Sequence, residues 1–404
     1  MGGSALSAQN QVGAIFLLIS PSPVMNGMGE IGTALPTDDL YGIHYNPANF
    51  RSAAGLQVAY SFPSRTAWLK ALNPGIGLHV QALQIGLTAL PLIGEISAGY
   101  YQTFLDLGLQ INTDEEANVI GTFKSYMIAD VVTLGLRRQF RFRSLSGQVA
   151  LGIARKDVVQ NLATGFSSGT GPDIRSFNRF TDTGFLASVH WVTAYGAGHR
   201  LKVRTAVGYS LLNDGDGIDF NLGFGPDPPP TTARIGWSVA LAFLEAEGDV
   251  PRFSLTYGRE VSDVLVVSAQ QDAGWKWTVD YPLGDIKARH LFTYDPAAPV
   301  ILHEGWELNV LNRLALRQGN LPDPAGRLFQ RTYGAGLDLS PLVVMLANGL
   351  GAPGLAGNIV LRYDFSTWAR GLLDGTNFHG LTLSFRRLEQ LLPSRLRNAS
   401  MPSR

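Results

Sequence analysis

Between residues 201 and 257 large or β-branched side chains occupy every second position. Leu201, Val203, Thr205, Val207, Tyr209 and Leu211 alternate with Lys202, Arg204, Ala206, Gly208 and Ser210. The pattern returns in Ile235, Trp237, Val239, Leu241 and Phe243 against Arg234, Gly236, Ser238, Ala240 and Ala242. It returns again in Phe253, Leu255 and Tyr257 against Arg252, Ser254, Thr256 and Gly258. Successive side chains of a strand point to opposite faces, so these segments are strands with one greasy and one wet face. A soluble sandwich alternates as well. Here the wet face is small and polar with scattered Arg and Lys, over segments about ten residues long, which suits a strand crossing an outer membrane.

The remaining composition agrees with that solvent. Charged residues make up 16% of the chain, against roughly 25% in typical soluble proteins. No apolar run, 14–19 included, is long enough for a membrane helix. A chain that is apolar in alternation and never in blocks can satisfy its backbone in lipid only as a closed sheet. A formal net charge of zero argues against a nucleic-acid partner. With no cysteine, thiol chemistry, disulfides and zinc–thiolate sites are excluded. The histidines at 44, 79, 190, 199, 290, 303 and 379 show no ligand-like spacing. No cofactor is expected.

The alternation predicts strands over 55–62, 76–88, 95–104, 122–140, 146–158, 183–195, 200–212, 233–244, 251–259, 274–281, 286–294, 305–317, 329–339, 358–366 and 378–386. Connections near 91–92, 143–144, 196–198, 245–249 and 282–284 read as short turns. Those at 106–121, 160–181, 213–232 and 260–273 read as long loops. Short turns at one end and long loops at the other are the topology of outer-membrane barrels, which close with an even strand number. One of the fifteen segments is therefore misread or lies off the barrel. Trp191, Tyr195, Trp237, Trp275, Trp277, Tyr281 and Trp306 are expected to form a lipid-facing girdle. The segment 381–385 ends the barrel, and 388–404, with Arg395, Arg397 and Arg404, reads as a basic periplasmic tail.

The N-terminal region carries ordered motifs. Ala5-Leu6-Ser7-Ala8 before Gln9 reads as the small-residue end of a signal peptide, so the chain is expected to start late, inside a secretory signal. Then come Phe16-Leu17-Leu18-Ile19-Ser20-Pro21, Gly27-Met28-Gly29-Glu30-Ile31-Gly32-Thr33-Ala34, Asp38-Asp39, Tyr45-Asn46-Pro47-Ala48 and, after the first strand, Ala67-Trp68-Leu69. In this order they resemble the start of the PorV/PorQ family of outer-membrane barrels, with Phe16, Pro21, Met28, Gly29, Glu30, Asn46, Pro47, Ala48 and Trp68 on the motif positions. The resemblance is dense at the N-terminus and only architectural beyond Ala154. It departs at Val24, where the family has an Arg before Gly-Met-Gly. Gly permits close backbone approach and Asn-Pro starts a turn, so the segment suits a plug folded into the barrel's periplasmic mouth. An aquaporin half-helix would need a second Asn-Pro-Ala inside a membrane helix.

The resemblance implies a FadL-like, all-β transmembrane antiparallel barrel of about 14 strands with an N-terminal plug. The expected organisation is a signal-peptide remnant over 1–8, the plug over 9–54, the barrel over 55–387 and the tail over 388–404. It further implies a non-enzymatic part in type IX secretion, with outer-membrane lipid, the C-terminal domains of secreted cargo and other secretion components as partners. A FadL-like channel for hydrophobic small molecules is the alternative. Phe220, Leu222 and Phe224, in an apolar, proline-rich loop over 217–230, are the candidate docking residues, against self-packing over the barrel mouth.

Other constellations are weaker. Gly349-Leu350-Gly351-Ala352-Pro353-Gly354 spells a dinucleotide fingerprint, but Pro353 sits badly in that turn and strands flank it. Asp214, Asp216 and Asp219 are spaced like part of a calcium loop, yet the twelfth position is Gly225. An acidic surface turn is the competing reading. Lys202, Arg204, Arg234 and Arg252 are expected in the lumen, internally paired or tuned for a polar passenger. Asp130 shares the apolar face with Ile128, Val132 and Leu134, so it is expected at a strand end or beside a bulge.

Overall fold

The computed structural model describes residues 12–50, 57–67, 76–90, 93–163, 174–195, 198–220, 222–223, 225–245, 250–271, 274–323, 328–349, 358–369 and 374–385. Fourteen antiparallel strands close into a barrel in chain order. The first seven are β1 (Gln57–Ala67), β2 (Gly77–Leu90), β3 (Gly94–Thr113), β4 (Val119–Phe142), β5 (Leu145–Ala163), β6 (Ile174–Ala194) and β7 (His199–Gly215). The others are β8 (Thr232–Glu245), β9 (Pro251–Val264), β12 (Ile301–Val310), β13 (Leu314–Asp323), β14 (Leu328–Asp338), β15 (Ile359–Ala369) and β16 (Asn377–Phe385). The seam closes where β1 pairs with β16, from Val58↔Phe385 to Ser61↔Thr382. Between β9 and β12, β10 (Val266–Gln271) and β11 (Gly274–Val279) form a separate two-stranded sheet.

The alternation resolves into an inside and an outside. On β4, Val132, Leu134 and Leu136 are exposed on the outer face, while Val131, Thr133, Gly135 and Arg137 are buried inside. Val149, Leu151 and Ile153 continue the outer apolar face on β5. In water such a surface would be costly; in lipid it is the favoured face. The chain is a transmembrane β-barrel of the outer-membrane type.

Four predicted segments change. The segment 305–317 is not one strand: Leu311 and Asn312 take positive φ (55° and 53°) and turn β12 into β13. No Gly or Pro marks this turn, so alternation ran through it unbroken. The segment 274–281 falls largely in β11, off the barrel, and 286–294 holds only a 3-10 turn at Ala288–Leu291. The expected loop 106–121 is mostly strand, because β3 and β4 pair up to Thr113↔Val119 and leave a tip at 114–118. There Asp114 Oδ1 accepts from Asn118 N–H at 2.7 Å and Glu116 N–H at 3.1 Å.

The aromatic girdle is partial. Trp191, Tyr195 and Trp306 are exposed. Trp237 faces outward but is covered: its Nε1 donates to Leu291 O at 3.1 Å and its ring stacks on Phe292 at 6.2 Å. Tyr209 Oη donates to Pro282 O at 2.8 Å, so the connection from β11 to β12 folds back onto the outer wall. Val261, Leu265, Ile286, Val300 and Leu302 form a core beneath it. Asp130 lies mid-strand, away from the bulge at 106/108. Tyr100 Oη and Gln102 Nε2 donate to it at 2.7 and 2.8 Å. Its outer-face neighbours Asp157 and Arg179 form an ion pair of 3.1 Å, so the row stands at the upper margin of the apolar band.

Candidate functional site

Residues 14–50 are almost wholly buried and touch strands all around the barrel, which places them inside its wall. Local chemistry shapes the segment. Ser22 Oγ accepts from Met25 N–H at 2.9 Å and caps α1 (Pro23–Asn26), whose first residue is a proline. Gly29 and Glu30 then reverse the chain with φ of 69° and 62°. A second short helix, α2 (Gly42–Tyr45), leads into Asn46-Pro47-Ala48. Asn46 Oδ1 accepts from Ala48 N–H at 2.9 Å, and its amide donates to Thr33 O and Phe185 O, both at 2.8 Å. One side chain thus forms the turn, ties the segment to itself and ties it to β6.

The wall is built to receive it. A methyl placed on Gly184 of β6 would overlap Asn46, and one on Gly305 of β12 would overlap the Met28 backbone. Glycines of β4, β5, β7, β13 and β14 likewise face Phe50, Pro47, Thr33, Gly29 and Gly27. Where the wall offers side chains, they bond the segment. Glu260 of β9 accepts from Gly32 N–H (2.9 Å), Thr33 N–H (2.8 Å) and Thr33 Oγ1 (2.7 Å) while pairing with Arg234 of β8. Arg234 donates to Glu30 O at 2.8 Å and lies 5.0 Å over the Tyr45 ring. Ser238 Oγ donates to Ala34 O at 2.6 Å, Ser210 Oγ to Tyr45 O at 2.7 Å, and Arg137 to Phe50 O. His303 bridges Gly29 O (3.0 Å) and Ser262 Oγ (2.8 Å).

Burial among these groups pushes the Glu30 carboxyl up to about 7, with Arg234 opposing the shift and Glu260 adding to it. Burial also holds the His44 imidazole well below its ordinary range, helped by Lys156 and Arg234.

Toward the end with the long loops the inner wall changes character. Leu78, Val80, Tyr101, Ala129, Val131, Ala154, Val158, Phe180 and Phe378 make an apolar lining filled by Phe16, Leu17, Leu40 and Ile43. One buried ion pair interrupts this lining, Lys156 with Asp182 at 2.8 Å beside Ala154, Val158 and Phe180, and elsewhere inside Arg317 pairs with Glu307 at 2.7 Å and Asp364 at 2.9 Å.

Phe16, Pro21, Met28, Gly29, Glu30, Asn46, Pro47 and Ala48 are thus gathered in one place, whereas Trp68 lies outside the described residues. Arg204 donates to Pro36 O at 3.3 Å, and Lys202 shares its inward face. Arg252 does not line the lumen: it sits exposed at the start of β9, paired with Glu245, because the strand has reached its rim. Phe220 packs against the apolar lining, and Gly13 N–H donates to Pro228 O at 2.9 Å, so this loop folds over the mouth. Leu222 is exposed, and Phe224 lies outside the described residues.

The calcium reading is not supported. Asp214 accepts from Tyr281 Oη, while Asp216 and Asp219 border a cavity of about 820 Å³ with Arg175 and Arg179. Among the described residues no group of three His, Cys, Asp or Glu is placed to hold a metal. Sequence reasoning missed Glu260, His303 and the wall glycines. Glu260 does continue the wet face of β9, one residue beyond the predicted end of that strand.

No protein-family model and no curated protein matches the chain. Among solved structures it is similar to the Pseudomonas putida toluene transporter TodX, at 12% identity and TM-score 0.41, over 90% of this chain and 96% of that one. It is similar to a Pseudomonas aeruginosa FadL homologue at 13% identity and TM-score 0.32, over 91% and 96%. The β domain of the Bordetella autotransporter BrkA gives 11% and 0.35, over 82% and 99%.

Proposed function

We propose that this barrel passes apolar small molecules across the outer membrane, with the N-terminal segment as its hatch. The supporting observation is the apolar inner lining of the half nearest the long loops. A water-filled channel has a polar interior, whereas this wall would offer a displaced Phe16, Leu17 or Ile43 an apolar replacement. Lysines and arginines are absent from residues 9–50, and the segment's carboxyl groups face wall arginines, Glu30 toward Arg234, Asp38 toward Arg137 and Arg204, and Asp39 toward Arg362, so packing, hydrogen bonds and these charge contacts hold the hatch in place. The test is uptake of a hydrophobic fluorophore into proteoliposomes by a chain carrying Ala34→Cys and Ser238→Cys. The locked, oxidised form should be at least fivefold slower than the reduced form. Equal rates would sink the channel reading.

A second reading, docking of secreted cargo in type IX export, draws on the β3–β4 hairpin. It overshoots the apolar band and exposes Leu109, Ile111, Val119 and Ile120. It predicts that native protein retains secreted chains sharing a C-terminal β-domain, and that Ile111→Ser with Val119→Ser abolishes retention. Retention unchanged by those substitutions counts against the hairpin as the docking surface.

A further inference from the structure

The connection from β14 to β15 does not suit its end of the barrel. The other connections there, at 91–93, 143–144, 195–198, 246–250 and 311–313, are short, while this one runs over 339–358. No residue between Asp338 and Arg362 is charged. It begins with α3 (Ser340–Gly349), of sequence SPLVVMLANG. Ser340 N–H donates to Asp338 Oδ1 at 2.9 Å, and its Oγ accepts from Leu361 N–H at 3.2 Å, which ties the start of the helix to β15.

Not one residue of α3 is buried: Leu342 is 51% exposed, Val344 38%, Met345 64% and Leu346 62%. A helix apolar on every side belongs in a core or a membrane. A groove on another protein would cover one side and leave the opposite side in water; an acyl layer covers all of them. The helix also starts where a lipid-facing row ends, since Leu314, Leu337 and Tyr363 are in register on the outer face and exposed. At about 15 Å, α3 is too short to cross the bilayer. We propose that α3 is a monotopic anchor embedded in the inner leaflet beside β13–β15.

The chain has no cysteine, so Met345→Cys and Leu346→Cys each take a single bimane label, with Glu116→Cys at the opposite hairpin tip as the aqueous reference. The labelled full-length chains are reconstituted in phosphatidylcholine vesicles, with or without chain-brominated lipid. Bromolipid should quench the two helix sites at least threefold more than the reference, and iodide at least threefold less. Iodide quenching equal to that at the reference overturns the proposal. So does a helix open to iodide in vesicles but shielded in native membrane fragments, which would mean that a protein covers it. Because a label can perturb assembly, the unmodified chain is also reacted with a carbene probe carried on a lipid chain. Adducts should appear within 342–346, and their absence there, with adducts on the outer faces of β4 and β5, again overturns the anchor.

Discussion

Glu260 is the residue on which the lumen turns. It is buried, pairs with Arg234 and accepts three hydrogen bonds from Gly32 and Thr33. Removing one partner of such a pair strands the other, at a cost of about 3–5 kcal/mol. Glu260→Ala should therefore raise amide exchange across residues 27–34 while the strand amides of β4 and β5 stay protected. Asn46→Ala leaves the carbonyls of Thr33 and Phe185 without their donor. Thermal unfolding in detergent should register a loss of about 1–3 kcal/mol. Glu30 adds a pH dependence. Its folded pKa, about 7, lies above its ordinary 4.5, so the segment is held best while that carboxyl is neutral. Stability should fall as pH rises above about 4.5, with the loss complete beyond about 7. Glu30→Gln should flatten that dependence in a pH series of segment exchange rates, corrected for intrinsic exchange.

At the scale of elements, the turn between β12 and β13 and the strap over β7–β9 show where pattern reading stops. Leu311 in a left-handed conformation carries a Cβ penalty that glycine lacks. Leu311→Gly should stabilise the barrel by about 1 kcal/mol in thermal melts. The strap is held by Trp237, through its bond to Leu291 O and its stack on Phe292, and by Arg259, which donates to Phe292 O at 3.2 Å. Trp237→Ala should free it, so that trypsin cuts at Lys287 or Arg289 and yields two fragments from an otherwise intact barrel. Unchanged resistance would mean that the core around Ile286 and Leu302 holds the strap without the tryptophan.

For the molecule as a whole, alternation together with the small polar wet face and the low charge content determined that the chain is a barrel in lipid, which face is wet, and where most strands run. Strand side chains alternate whatever they face, and 201–211 reads the same in the sequence as in the wall. The motifs from Phe16 to Ala48 likewise marked a segment with its own close-packed geometry. Other features had no local signature. Asp130 looks misplaced in a one-dimensional pattern, and only the neighbouring strands supply Tyr100, Gln102 and the height at which it sits. Arg252 and Arg234 look alike as inward positions, yet one ends at the rim and the other is buried against Glu260. The wall glycines read as weak strand residues until Asn46 and Met28 are seen to need their space. Period and composition are properties of neighbours in the chain, so the sequence determined the sheet and its solvent. Which wall residues meet which part of the N-terminal segment is set by closure of the barrel, which brings together residues more than two hundred positions apart, and only the tertiary structure decided it.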